Sequence, residues 1–257
     1  MLLLLARWRW WLAFPVVLIA VAASTAAAFW ELVVVLQEGT QAYRLGSWAP
    51  SIGIEYVVDR LSAFVAVIVT SVSVLVIIAT RRIAEREAGD RLGAFYSLVL
   101  LLLAGLTGMV VTGDLFNLFV FLEISSLTSY ALIALGTGGA VVSAFRYVIL
   151  GTVGAAFYLL GVGYLYSVTG SLNMADLAQI LPSLYESNAI RVGFAFLVIG
   201  LSIKMALFPM HAWLPGAYSD APSAVSALIA ATSTKVAAFA LVRILFFVFE
   251  PRFSVEL

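Results

Sequence analysis

The chain is 257 residues long, 63% hydrophobic and only 11% charged, with a formal net charge of zero, no cysteine and one histidine. So little charge over this length excludes an ordinary soluble domain and marks an integral membrane protein. The same counts exclude disulfides, thiolate-held metals, CxxCH haem attachment and a histidine zinc cage, and the neutral balance offers no field for nucleic acid.

Crossing about 30 Å of hydrocarbon takes about 20 mainly apolar residues in a helix. Seven stretches come near that length, at approximately 12–36, 57–80, 94–111, 115–135, 145–168, 190–208 and 222–249. Few prolines and no strict alternation predict helices rather than barrel strands, hence an all-α, polytopic fold. The first stretch follows Arg7 and Arg9 and holds small residues from Ser24 to Ala28, as a cleavable signal would, yet its apolar run continues to Leu36 and is long enough to span. Arg81, Arg82, Arg86 and Arg91 fill the next connection on the N-terminal side of the membrane, against Arg44, Arg191 and Arg252 on the other side. The positive-inside bias therefore predicts a cytoplasmic N-terminus, and the expected location is a cell inner (plasma) membrane.

Between the first two stretches, YRLGSWAPSIGI (43–54) is rich in turn formers and predicts an ordered external loop or short hairpin. Segment 171–184 predicts a short helix along the outer interface, capped by Ser171 or Asn173 with Asp176 in its first turn. Neither a GxxxxGK[ST] loop nor a GxGxxG after a strand is present, and Gly161 and Gly163 inside an apolar run read as points of close helix approach.

Charges at membrane depth carry the chemistry. The chain has two lysines, Lys204 and Lys235, both inside apolar stretches, and Glu123 interrupts a third. Each costs at least about 2.5 to 3.5 kcal/mol near a bilayer centre and by default marks an ion pathway, a proton relay or a counter-ion. Glu123, Ser126 and Tyr130 stand at i, i+3 and i+7, so they share one helix face as a polar stripe. Counting from Asp114 at about 1.5 Å per residue, Glu123 lies about 13 Å below the outer surface. Its proton affinity there depends on whether a cation is close, which is switch behaviour; the plain alternative is a carboxylate held permanently for assembly.

The sixth stretch reads GLSIKMALFPMHAWLPG. Pro209 has no N–H, so the carbonyl of Met205 loses its helical partner one residue after Lys204, and the helix is expected to kink or break there. Such a break is tolerated only in protein or against water, where the freed carbonyl and water would receive a proton from Lys204. If the helix resumes, His211 falls at i+7 on the same face near the cytoplasmic end, suited to proton exchange. The plain readings are a hydrogen-bonded structural His211 and a Lys204 that snorkels inward. Lys235 lies about 20 Å along the last helix, too deep for easy snorkelling, with Thr232 and small residues leaving room for water beside the amine. Arg243, nearer the outer end, reads as a fixed charge or a lipid-phosphate contact.

The segments GDLFNLFVFLEISSLTSYALIALG and KMALFPMHAWLPGAYSDAPSAVSALIAATSTKVAAFALVRIL resemble the proton-conducting membrane transporter family, which comprises antiporter-like subunits of respiratory complex I and of Mrp-type Na+/H+ antiporters. LGSWAPSIGI (45–54) is similar to the LGxWxPxxGI loop of the D-type Mrp branch, and the resemblance covers about residues 40–250. It implies that Glu123 modulates the broken-helix Lys204 and that Lys235 relays protons onward, with His211, Ser126 and Tyr130 as further relay candidates, Pro209 as the helix break and no cofactor in this chain. It also implies partners: other membrane subunits of a multisubunit complex, protons and Na+ or K+, and the lipid bilayer, without nucleic acid. Family members have about fourteen helices in two inverted five-helix repeats. Residues 1–56 and 57–93 would then be a first helix with its loop and a second helix with its basic connection, and 94–257 the first repeat. The expectation is a fragment, a split subunit whose second repeat is another chain, or a degenerate copy. The implied function is a half-channel subunit of a monovalent cation/proton antiporter, or alternatively of a complex I-type quinone oxidoreductase or membrane-bound hydrogenase, with no catalytic centre of its own. From other classes, a non-conducting scaffold and a seven-helix retinal protein with Lys235 as Schiff base and Glu123 as counter-ion also place charge in the membrane.

Overall fold

The computed structural model of the protein describes residues 12–48, 53–250 and 253. Arg7, Arg9, the centre of the external loop at 49–52 and Arg252 lie outside the described residues.

Helix α1, Ala13–Glu38, is followed by a two-stranded antiparallel hairpin, β1 (Gln41–Arg44) and β2 (Glu55–Val58), with Gln41 opposite Val58 and Arg44 opposite Glu55. The strands on either side of residues 49–52 thus pair as a hairpin. Helix α2, Arg60–Ala88, starts on a capping box in which Asp59 accepts from the Ser62 N–H and Ser62 Oγ from the Asp59 N–H, both at 2.8 Å. A 3-10 turn at Gly89–Arg91 leads into α3, Leu92–Val111. Helix α4, Leu115–Ala134, is capped by the Asp114 carboxylate, which accepts from the Asn117 N–H at 2.7 Å. Burial pushes the Asp114 carboxyl above its usual range, and the N–H groups of Asn117 and Phe116 pull it back.

Helix α5, Ala140–Thr169, closes on Gly170 in the left-handed conformation. Asn173 rather than Ser171 caps α6, Met174–Ile180, accepting from the N–H groups of Ala175 and Asp176. Then come α7 (Asn188–Lys204), α8 (Leu214–Asp220) and α9 (Ser223–Arg243), which continues as a π-helical turn at Ile244–Val248. Among the described residues, five segments are long and apolar enough to cross a membrane: Ala13–Glu38, Arg60–Val111, Leu115–Ala134, Ala140–Thr169 and Ser223–Val248. The second of these holds both α2 and α3. Helix α7 has 17 residues because it stops at Lys204, four short of the expected end at residue 208.

Two clasps hold the ends of the bundle. On the hairpin side, Asn173 donates to Glu55 at 3.1 Å, and isolated bridges join Tyr56 to Thr112 and Asp114 to Asn173. On the other side, Glu87 of α2 accepts from the Ser223 N–H at 3.0 Å and hydroxyl at 2.9 Å, which caps α9 from a different helix. Ser143 of α5 donates to Asp220 at the end of α8. Gly161 admits α7 as expected, since an added Cβ would stand 2.8 Å from the Gly193 carbonyl, whereas Gly163 faces open space and has no such role. Arg243 is a correction to the lipid-contact reading. It is buried and ion-paired with Asp59, the cap of α2, so its charge is met inside the protein.

Candidate functional site

The residue order Ser202 to Leu207 explains why α7 ends where it does. Leu207 N–H donates to the Ser202 carbonyl at 2.9 Å and Ala206 N–H to Ile203 at 3.2 Å, with Ala206 at φ 58°: a Schellman ending, with alanine where glycine is usual. Pro209 follows three residues later, in a segment that cannot resume the helix until Leu214. Trp213, 2% exposed, closes the gap: its Nε1 donates to the Ile203 carbonyl at 2.9 Å and its indole stacks on Tyr147 of α5 at 3.8 Å between centroids. Tyr147 in turn meets Tyr130 edge-on at 4.6 Å.

This arrangement leaves Lys204 as the last residue of α7, 6% exposed, with its amine turned to α4. Nζ donates to Ser126 Oγ at 2.7 Å and to Tyr130 OH at 3.3 Å, and pairs with Glu123 Oε1 at 3.5 Å. At 3.5 Å the carboxylate is an ion-pair partner rather than a close hydrogen bond, and Oε1 is buried with no hydrogen-bond donor among the described residues. The expected stripe of Glu123, Ser126 and Tyr130 is thus one face, and Lys204 is what it faces. All three of these partners stand on α4. Gly151 of α5 makes room for this: a Cβ there would lie 1.9 Å from Tyr130 OH.

His211 and Lys235 are placed elsewhere. Because the helix does not resume after Pro209, the i+7 geometry expected for His211 does not form; its ring lies 5.6 Å from Phe208 and its Nδ1 is buried without a partner among the described residues. Lys235 is exposed on this chain, donating to the Ala230 carbonyl and, at 3.3 Å, to Thr234 Oγ1. Thr232 is buried and donates its hydroxyl to the Leu228 carbonyl at 2.7 Å. Reasoning from sequence alone missed Tyr147, Trp213 and Gly151; the only signal for them was their aromatic or minimal size within apolar helices.

Fold and site define a polytopic helical membrane protein with an ionisable pair held at a helix break. The chain belongs to the family described as NADH:quinone oxidoreductase/Mrp antiporter, TM, whose pattern matches residues 112–256. It is 51% identical over 232 residues to the NADH-quinone oxidoreductase subunit N of Desulforudis audaxviator, covering 90% of this chain and 46% of that one. It is 35% identical over 227 residues to the D-type subunit of the Na(+)/H(+) antiporter of Bacillus subtilis, covering 87% and 45%. Its fold is similar to a chain of the membrane-bound sulfane sulfur reductase, an archaeal respiratory membrane complex, with a TM-score of 0.90, 35% identity and coverage of 97% of this chain and 50% of that one. The chain spans about half the length of the curated relatives it matches.

Proposed function

We propose that this chain forms a proton-translocating half-channel within a subunit of a multisubunit monovalent cation/proton antiporter, in which Glu123, Lys204 and Lys235 carry the proton. The observation that supports this most is the pair of Lys204 with Glu123 at the end of a broken helix. An amine that is 6% exposed yet faces a carboxylate at 3.5 Å can hold or release a proton according to that carboxylate's charge and distance. The break supplies mobility, since Lys204 is a terminal residue with no helical turn beyond it. Lys235 takes the proton onward on α9, where its exposed amine would face another part of the assembly. Neighbouring membrane subunits are the partners, and Na+ or K+ the exchanged cation. The host is the plasma membrane, with the α2–α3 turn cytoplasmic.

The test is exchange in vesicles holding the assembled complex. Lys204→Ala should cut cation/proton exchange by more than about a hundredfold, the scale of a lost proton-transfer group, while the complex still assembles. Lys204→Arg should fail equally, because arginine keeps the charge but releases no proton. Exchange at the wild-type rate in assembled Lys204→Ala complexes would overturn the reading.

A second reading is supported by the 51% identity to a relative named for NADH-quinone oxidoreductase. In it the same half-channel belongs to a redox-driven pump. Proton movement that stops when the reductant is withdrawn supports the pump; exchange driven by a cation gradient alone supports the antiporter.

A further inference from the structure

Helix α1 is the least enclosed of the five spanning segments: 17% of its apolar stretch is buried, against 39% or more in each of the others. It packs on α2 and α3, and its buried residues, Ala13, Val17, Val21, Ala28 and Val35, form one narrow stripe. The bulky residues Ile19, Phe29, Val33 and Leu36 are exposed on the side away from that stripe, as suits contact with lipid tails. A third side is different. Ser24, Ala27 and Glu31 stand at i, i+3 and i+7, lie within about 60° of arc opposite the bulky residues, and are all exposed. Glu31 comes well before Glu38, the last residue of the helix, and at 1.5 Å per residue lies about 10 Å below the hairpin end. Its two methylene groups are too short to lift the carboxylate over that distance, and no hydrogen bond or ion pair meets it among the described residues. Ser24 donates its hydroxyl to the Ala20 carbonyl at 3.0 Å, so it too turns only lone pairs outward.

We propose that this side of α1 is a docking surface for one transmembrane helix of another subunit, which brings a lysine or arginine to Glu31 about 10 Å below the hairpin end. A lipid does not supply this, because its tail carries no donor and its headgroup lies at the level of the helix end. A second copy of this chain does not supply it either. A two-fold axis along the membrane normal would set Glu31 against Glu31 at the same depth, like charge on like charge. An ammonium or guanidinium gives the carboxylate a charge-assisted hydrogen bond, and the small Ala27 and Ser24 let the incoming backbone come close enough to make it. The docking rests on the chain's place in a multisubunit complex and is independent of the proton role of Lys204.

A benzophenone maleimide attached to Ala27→Cys, the single cysteine of such a variant, tests this in membranes holding the assembled complex. After irradiation, mass spectrometry should place the adduct on a transmembrane helix of another subunit, within about one turn of a lysine or arginine. Adducts confined to lipid, to this chain or a second copy of it, or to a helix with no basic residue at that level, would overturn the proposal. Charge exchange gives a second measurement. Glu31→Lys should lower the amount of assembled complex on a native gel about tenfold while the chain still inserts at its wild-type level, and Glu31→Gln, which keeps an acceptor, only about threefold. Replacing the located base by glutamate in the Glu31→Lys background should return assembly to within about twofold of wild type; no recovery would overturn the ion pair. Lys204→Ala keeps the two readings apart. If it assembles but does not exchange, while Glu31→Lys assembles at the wild-type level, only the docking surface fails; if it exchanges at the wild-type rate, only the proton reading fails.

Discussion

The Lys204 ammonium donates to Ser126 and Tyr130 and pairs with Glu123 at 3.5 Å. Two of the contacts are hydrogen bonds to neutral hydroxyls, and only Glu123 supplies charge, so the carboxylate is the one member whose state changes what the lysine does. Glu123→Gln keeps the shape and removes that charge. Alone it should lower exchange at least about tenfold, whereas in a Lys204→Ala background it should change the residual rate by less than about twofold, because residues acting as one unit are strongly non-additive. Rates measured for both single variants and the double variant decide this; effects that multiply independently would make Glu123 structural. The stripe itself was legible, since i, i+3 and i+7 spacing places residues on one face whatever the tertiary structure. Tyr147, Trp213 and Gly151 were not, because each meets the site from another element and no local period reports a contact between elements distant in sequence.

At the scale of the element, the break was legible and its cause was not. A proline in an apolar helix announces an interruption, yet α7 ends through the backbone bonds of Ala206 and Leu207, before Pro209 is reached. Glycine would have marked that ending; alanine conceals it. A left-handed alanine costs roughly 1 to 2 kcal/mol, part of which glycine would lose again through its freer unfolded chain. Ala206→Gly should therefore stabilise the protein by about 0.5 to 1 kcal/mol and raise its unfolding temperature in detergent by a few degrees. Ala206→Val, branched at Cβ, should lower it and impair exchange, since the ending is what aims Lys204 at α4. An unfolding temperature that ranks valine above glycine would show that Ala206 is not strained. Helix α9 gives the converse lesson. Of the two readings of Arg243, the fixed charge holds and the lipid contact does not, because its partner Asp59 lies 184 residues earlier and no local pattern announces so distant a pair.

For the whole molecule, composition and run length made the all-helical membrane class legible, because hydrocarbon leaves the backbone few other ways to satisfy its hydrogen bonds. The hairpin was harder to read, since its two strands are only four residues each and stand on the Glu55 to Asn173 clasp as much as on their own pairing. The proposed orientation rests on an asymmetry of charge. Arg81, Arg82, Arg86 and Arg91 gather around the α2–α3 turn, at the end where Glu87 caps α9 and Asp220 holds Ser143. The hairpin end has Arg44, Arg60 and Arg191, scattered over separate segments rather than gathered in one connection. Basic residues gathered in a short connection oppose translocation, which is the ground for proposing that the α2–α3 end is cytoplasmic. Because the chain has no cysteine, single cysteines report on this without background. Asp90 and Ser183 are both exposed, one at each end. In intact cells a membrane-impermeant maleimide should label Ser183→Cys and leave Asp90→Cys untouched until the cells are opened. The opposite pattern would invert the molecule, and with it the side from which protons reach the Glu123 and Lys204 pair.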